Sequence, residues 1–187
     1  MRALKFATSF AVAVACLLVA GCETMPSATY SNLGDNTYAL RKFEGAKVRV
    51  ATINDQSSFD SSCRLMGPIK TSGNRSLADF IRDSFNDELK FAGIFSDDQA
   101  SVQLVATLHR ASFSSTTGLT GGRWDFSLQV ANPSNGRSVI TSLQYDFDSG
   151  FIGDNACRNV ANAITPSVQR LINRTISDPG FAALIGK

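Results

Sequence analysis

The stretch RWDFSLQVA, residues 123–131, alternates without error, with Trp124, Phe126, Leu128 and Val130 set against Arg123, Asp125, Ser127 and Gln129. A period of two puts the first set on one side of a strand and the second set on the other. SVITSLQYDF, residues 138–147, repeats the pattern with Val139, Leu143, Tyr145 and Phe147. Between them lies Asn135-Gly136, a dipeptide that takes up the positive φ of a hairpin turn. Two strands joined in this way form an antiparallel pair with one apolar face and one wet face. Whatever fold the chain adopts must cover that apolar face.

The rest of the chain supplies the cover. AKVRVATI, 46–53, reads as a first strand, with Val48 and Val50 on one side and Lys47 and Arg49 on the other. Ser76 with Asp79 opens an amphipathic helix, in a variant of the capping box. Its apolar stripe is Leu77, Phe80, Ile81, Phe85, Leu89 and Ala92, and Gly93 ends it. A further strand covers 102–113, with Val102, Leu104, Ala106 and Leu108 on one face. A second long helix spans 155–176, with Val160, Ile164, Val168, Leu171, Ile172 and Ile176 along one side. Pro166 inside it must kink or split it, because proline lacks the N–H and crowds the preceding turn. The loop at 54–75 is marked by Ser, Gly, Asn and Asp, and the one at 114–122 is rich in Gly. DPGFAALIG reads as a short closing tail. Elements in the order β-α-β-β-β-α give an α+β fold, a four-stranded, mainly antiparallel sheet with two helices on one face.

The N-terminal end carries a different signal. Met1–Phe6 holds Arg2 and Lys5 and no acid, and Ala7–Ala20 is apolar except for Thr8 and Ser9. That describes an export signal and is short for a membrane span. Leu18-Val19-Ala20-Gly21-Cys22 resembles a bacterial lipobox, in which the cysteine is acylated and the signal is cut before it. The resemblance implies that residues 1–21 form a lipoprotein signal peptide and that Cys22 is the lipidated first residue of the mature chain. The alternative is an ordinary cleaved signal with an incidental cysteine. A lipidated cysteine would carry at least two acyl chains, as stable anchoring needs. Glu23, rather than an aspartate, after the cysteine implies the outer membrane, facing the periplasm. Residues 22–45 then read as a lipidated tether, part of which packs on the domain through Tyr30, Leu33, Tyr38, Leu40 and Phe43. Residues 46–187 form a single domain.

Removing Arg2 and Lys5 with the signal leaves equal numbers of basic and acidic side chains, so no charge excess argues for a nucleic-acid partner. Cys16 leaves with the signal, and Cys63 and Cys157 remain. In an exported chain that pair reads as a disulfide, with two free thiols as the alternative. The one histidine, His109, lies on the face opposite Leu104 and Leu108 and has no nucleophile motif around a serine to serve. Asp97, Asp98, Asp146, Asp148 and Asp154 fit no metal-binding loop, and no phosphate-binding or dinucleotide motif is present. The expectation is therefore no catalytic, cofactor or metal site.

With its lipobox, the element order over 46–176 resembles, in outline, the small lipoproteins that assist envelope assembly, LptE-like and YajG-like. The resemblance implies a membrane-anchored, non-enzymatic accessory that binds another envelope protein. A lipid or small-amphiphile binder and a hydrolase are the competing classes. Contacts are expected on the open sheet face, a sheet edge or the two loops, and not on the helix faces.

Overall fold

The computed structural model describes residues 25–98 and 102–187. In chain order its elements are β1 (Ser27–Ala28), α1 (Gly34–Arg41), β2 (Val48–Asp55), β3 (Lys70–Thr71), a 3₁₀ turn (Ser72–Asn74) and α2 (Leu77–Phe91). Then come β4 (Val102–Thr117), β5 (Gly121–Asn132), β6 (Arg137–Asp148), α3 (Gly153–Asn162), α4 (Ile164–Ile176) and α5 (Pro179–Leu184). The main sheet runs β2-β4-β5-β6, with β2 parallel to β4 and the other pairings antiparallel. This is the expected α+β fold with a four-stranded, mainly antiparallel sheet.

The alternation in β5 carries through to burial: Trp124, Phe126, Leu128 and Val130 are all buried, and their odd-numbered neighbours are half-buried on the other face. Trp124 stacks on Phe126 with ring centroids 5.4 Å apart and touches Phe59 and Phe113. Its indole N–H donates to the Val160 carbonyl at 3.0 Å, so the sheet's largest side chain is also hydrogen-bonded to α3. The turn after β5 holds four residues, 133–136, closed by N–H groups of Asn135 and Gly136 on the Asn132 carbonyl. Gly136 supplies the positive φ, 70°.

β4 departs from simple alternation. Leu104, Ala106 and Leu108 face the core, then Ala111 and Phe113 do. A bulge shifts the register, with Leu108 opposite Leu128 and Arg110 opposite Ser127. The extra residue puts both His109 and Arg110 on the open side. A second bulge, between Val50 and Thr52, interrupts β2.

Ser76 caps α2 as its sequence indicates, accepting from the Asp79 N–H at 3.0 Å, and the helix is followed by Gly93 at φ 79°. The second long helix is split into α3 and α4 at Ala163, three residues before Pro166. Pro166 has no N–H to give to the carbonyl four residues back, so the regular ladder stops there. The chain end is not a tail. Asp178 caps α5 by accepting from the Gly180 N–H at 2.7 Å, Pro179 starts it, and Phe181 and Leu184 are fully buried. The side-chain amides of Asn132 and Asn135 donate to the Leu184 carbonyl, fixing this helix to the β5–β6 turn.

The stretch expected to be a tether is folded onto the domain from Met25 onward. β1 pairs in parallel with β3, and α1 buries Leu40. The polar anchor is Glu88, fully buried on α2. Its carboxyl group accepts from the Tyr30 hydroxyl, from the Leu33 N–H at 2.9 Å and from the Asn36 amide at 3.0 Å. Asn36 in turn accepts from Asn173 of α4 at 2.9 Å. Burial, and then the hydrogen bond to Glu88, push the Tyr30 phenol far above its ordinary range. Glu88 lies in line with Phe85 and Leu89 along the core-facing stripe, an acidic residue where the pattern asks for an apolar one.

Candidate functional site

One face of the sheet is packed under helices; the other is open and polar. β5 and β6 set Arg123 directly opposite Asp146, and the two form an ion pair at 2.6 Å. The Arg123 guanidinium holds the Asp146 carboxyl below the usual carboxylate range, and Asp146 raises Arg123 in return. Beside them Arg110, Asp125, Ser127, Ser142, Gln144 and Arg174 border a shallow hollow of about 550 Å³. His109 stands exposed at the bulge, its ring nitrogens each 3.1 Å from an amide oxygen, of Gln56 and of Gln129. A ring facing two amides in this way is held in place by β5 and the residue that follows β2. The open face can therefore present charge pairs and amide groups to a partner surface.

The sheet edges differ. On β2 the Asn86 amide takes the place of a neighbouring strand: its oxygen accepts from the Val50 N–H at 2.8 Å and its nitrogen donates to the Val50 carbonyl at 3.0 Å. Ile94 and Ser96 bond to both backbone groups of Val48. That edge is thus closed along its first half, the protection an edge strand requires. Asn86, which the helical pattern places on the outer side of α2, is a strand mimic. On β6 Arg174 donates to the Ser142 carbonyl at 3.0 Å, and Ile140 and Gln144 point their backbone groups the same way by the alternation of the ladder.

A second concavity, of about 320 Å³, lies where the long loop meets the start of α2. Phe59, Ile69, Leu77 and Ile164 line it, and Asp55, Lys70 and Arg75 contribute charged groups. Its volume is at the small end for a ligand pocket.

Of the residues singled out by sequence, Cys22 lies outside the described residues. Cys63 and Cys157 are joined as a disulfide, their Cα atoms 5.9 Å apart. The bond ties the loop after β2 to the first turns of α3. Arg64, at φ 49°, continues the clamp, its guanidinium donating to the Ser115 hydroxyl and carbonyl and to the Phe151 carbonyl. The scattered aspartates do not converge. Asp97 pairs with Arg49, Asp146 with Arg123 and Asp154 with Arg158, and no cluster of metal-ligating side chains occurs among the described residues. No helix among the described residues is long and apolar enough to cross a membrane.

No family model matches the chain, and no curated protein does. Solved structures are similar in part: an uncharacterized protein at 11% identity and TM-score 0.40 covers 81% of this chain and 100% of its own length. Rare lipoprotein B from Shewanella oneidensis is 14% identical with TM-score 0.38, over 67% of this chain and 90% of its own. A candidate lipoprotein from Caulobacter crescentus CB15 is 11% identical with TM-score 0.39, over 81% of this chain and 97% of its own.

Proposed function

We propose that this protein is a lipid-anchored lipoprotein of the bacterial cell envelope, held in the outer membrane through acylated Cys22, which acts without catalysis by binding another envelope protein. The observation that carries the reading is the open sheet face. It presents Arg110, Arg123, Asp125, Gln129, Gln144 and Asp146 on a rigid scaffold, with the helices packed on the opposite side and Arg174 of α4 reaching round the β6 edge. The residues Leu18–Cys22 support the anchor, and the disulfide fits an oxidising compartment. The test is capture from crosslinked membranes. Ser127→Arg with Gln129→Arg should abolish recovery of the partner at unchanged melting temperature, and Arg170→Glu on the outer side of α4 should leave recovery intact. Capture lost with Arg170→Glu alone would put the partner on the helix side and end this reading.

A second reading, a binder of a small amphiphile, is favoured by the cavity with an apolar lining and the charged groups Asp55, Lys70 and Arg75. Native mass spectrometry of the purified protein separates the two: a lipid that co-purifies and is lost with Ile69→Trp supports it.

A further inference from the structure

Eight large apolar side chains stand out in solvent among the described residues, and five of them meet at one end of the molecule. Leu65 is 101% exposed, Met66 43%, Leu119 85%, Phe151 81% and Ile152 65%. They sit on three loops, 63–67, 118–120 and 149–152, that are tied to each other. Arg64 bonds to Ser115 and to the Phe151 carbonyl, and the Ser149 and Gly150 N–H groups donate to the Thr120 carbonyl. Met66 lies against Gly153, where an added Cβ would sit 3.7 Å from its Cγ, and the disulfide at Cys63 fastens the first loop from below. An exposed apolar rim on a rigid base marks a surface with an occupant.

The chain itself indicates which occupant. β1 pairs in parallel with β3, Ser27 beside Lys70 and Ala28 beside Thr71. Followed backwards, β1 therefore runs in the direction of Ile69 and Pro68, toward the turn whose apex is Leu65. Cys22 precedes Met25 by three residues, a reach of roughly 10 Å at most. The chain therefore enters the domain at Met25 from the side of the apolar rim.

We propose that the rim formed by Leu65, Met66, Leu119, Phe151 and Ile152 seats on the lipid bilayer that holds the Cys22 acyl chains, so that the domain stands on the membrane by this end with its sheet face turned sideways to a partner. The inference rests on the proposed lipidation of Cys22. Apolar side chains at a rigid tip add buried area to an anchor whose reach is too short to let the domain wander.

The test uses the full-length lipidated protein in phosphatidylethanolamine–phosphatidylglycerol vesicles with brominated acyl chains. The single native tryptophan, Trp124, is fully buried and gives a constant background. Leu65→Trp should lose fluorescence to the brominated chains and shift to shorter wavelength. Phe91→Trp, exposed at the far end where α2 leads back to the start of β2, should do neither. An acylated protein, verified by mass, whose Leu65→Trp signal is unchanged would overturn the seating and leave the anchor standing. Quenching at Phe91→Trp instead would overturn it too, as would protection of Leu65→Trp only after a membrane-protein extract is added, which would make the rim a protein-binding surface. A protein without acyl chains on Cys22 would remove the anchor and the seating together.

Discussion

Two stretches outside the main sheet flank β2, and they are held by different means. Residues 25–45 are fixed by hydrogen bonds converging on one buried group, Glu88, and by apolar side chains such as Leu40 in the core and Phe43 against it. Residues 56–76 are fixed covalently, by the bond from Cys63 to Cys157, and by the fork of Arg64. The first arrangement is built from groups that need each other: remove the carboxyl and a hydroxyl, an N–H and an amide are stranded in the core. The second acts largely on the unfolded chain, by holding together two positions 94 apart and so lowering the entropy of that state. A polar cluster therefore specifies one docked geometry, and a disulfide mainly limits how far the chain can stray.

Breaking the covalent clamp should have the largest effect. Cys63→Ser with Cys157→Ser is expected to cost about 4.6 kcal/mol on the loop-entropy scale for a separation of 94. For a domain of this size that lowers the melting temperature by roughly 10 °C, read by calorimetry. Amide exchange should rise in 56–76 and stay slow around Tyr30 and Leu33. Next in size is Glu88→Ala, which strands the donors of Tyr30, Leu33 and Asn36 and should cost about 3 kcal/mol. Here the exchange pattern reverses, with 30–41 loosened and the loop still protected. If both variants loosen both stretches equally, the two clamps are one cooperative unit and the comparison fails. The smallest effect is that of Arg64→Ala. Its contacts are exposed, so under about 1 kcal/mol is expected, with faster exchange confined to 64–67 and 150–152.

The contrast also explains what could be read from the chain. β4, β5, β6 and the Ser76 cap were legible because alternation and capping are local: residues one to three apart decide them. The split at Pro166 was legible for the same reason. The role of Glu88 was not, because its partners lie more than 50 positions earlier, although an acid in line with Phe85 and Leu89 was the available signal. The bulge at His109–Arg110 was missed, although the apolar alternation of β4 changes parity there, from Leu104, Ala106 and Leu108 to Ala111 and Phe113. α5 was missed because a six-residue helix has too little length for a period, yet Asp178-Pro179 is a cap followed by a helix-starting proline. The rim was hidden because Leu65, Leu119 and Phe151 are isolated in sequence and meet only through the folding of three loops.

The parallel pairing of β1 with β3 has a mechanical side. Tension applied at the N-terminal end, along the direction in which residue 25 leaves the domain, loads the hydrogen bonds of β1 in shear and not one at a time as in unzipping. Behind that pair, in series, come the bonds of Tyr30 and Leu33 to Glu88 and then the buried Leu40. Pulling at this end must strip three successive attachments before the force reaches the main sheet, so the segment works as a strain relief between the end of the chain and the fold.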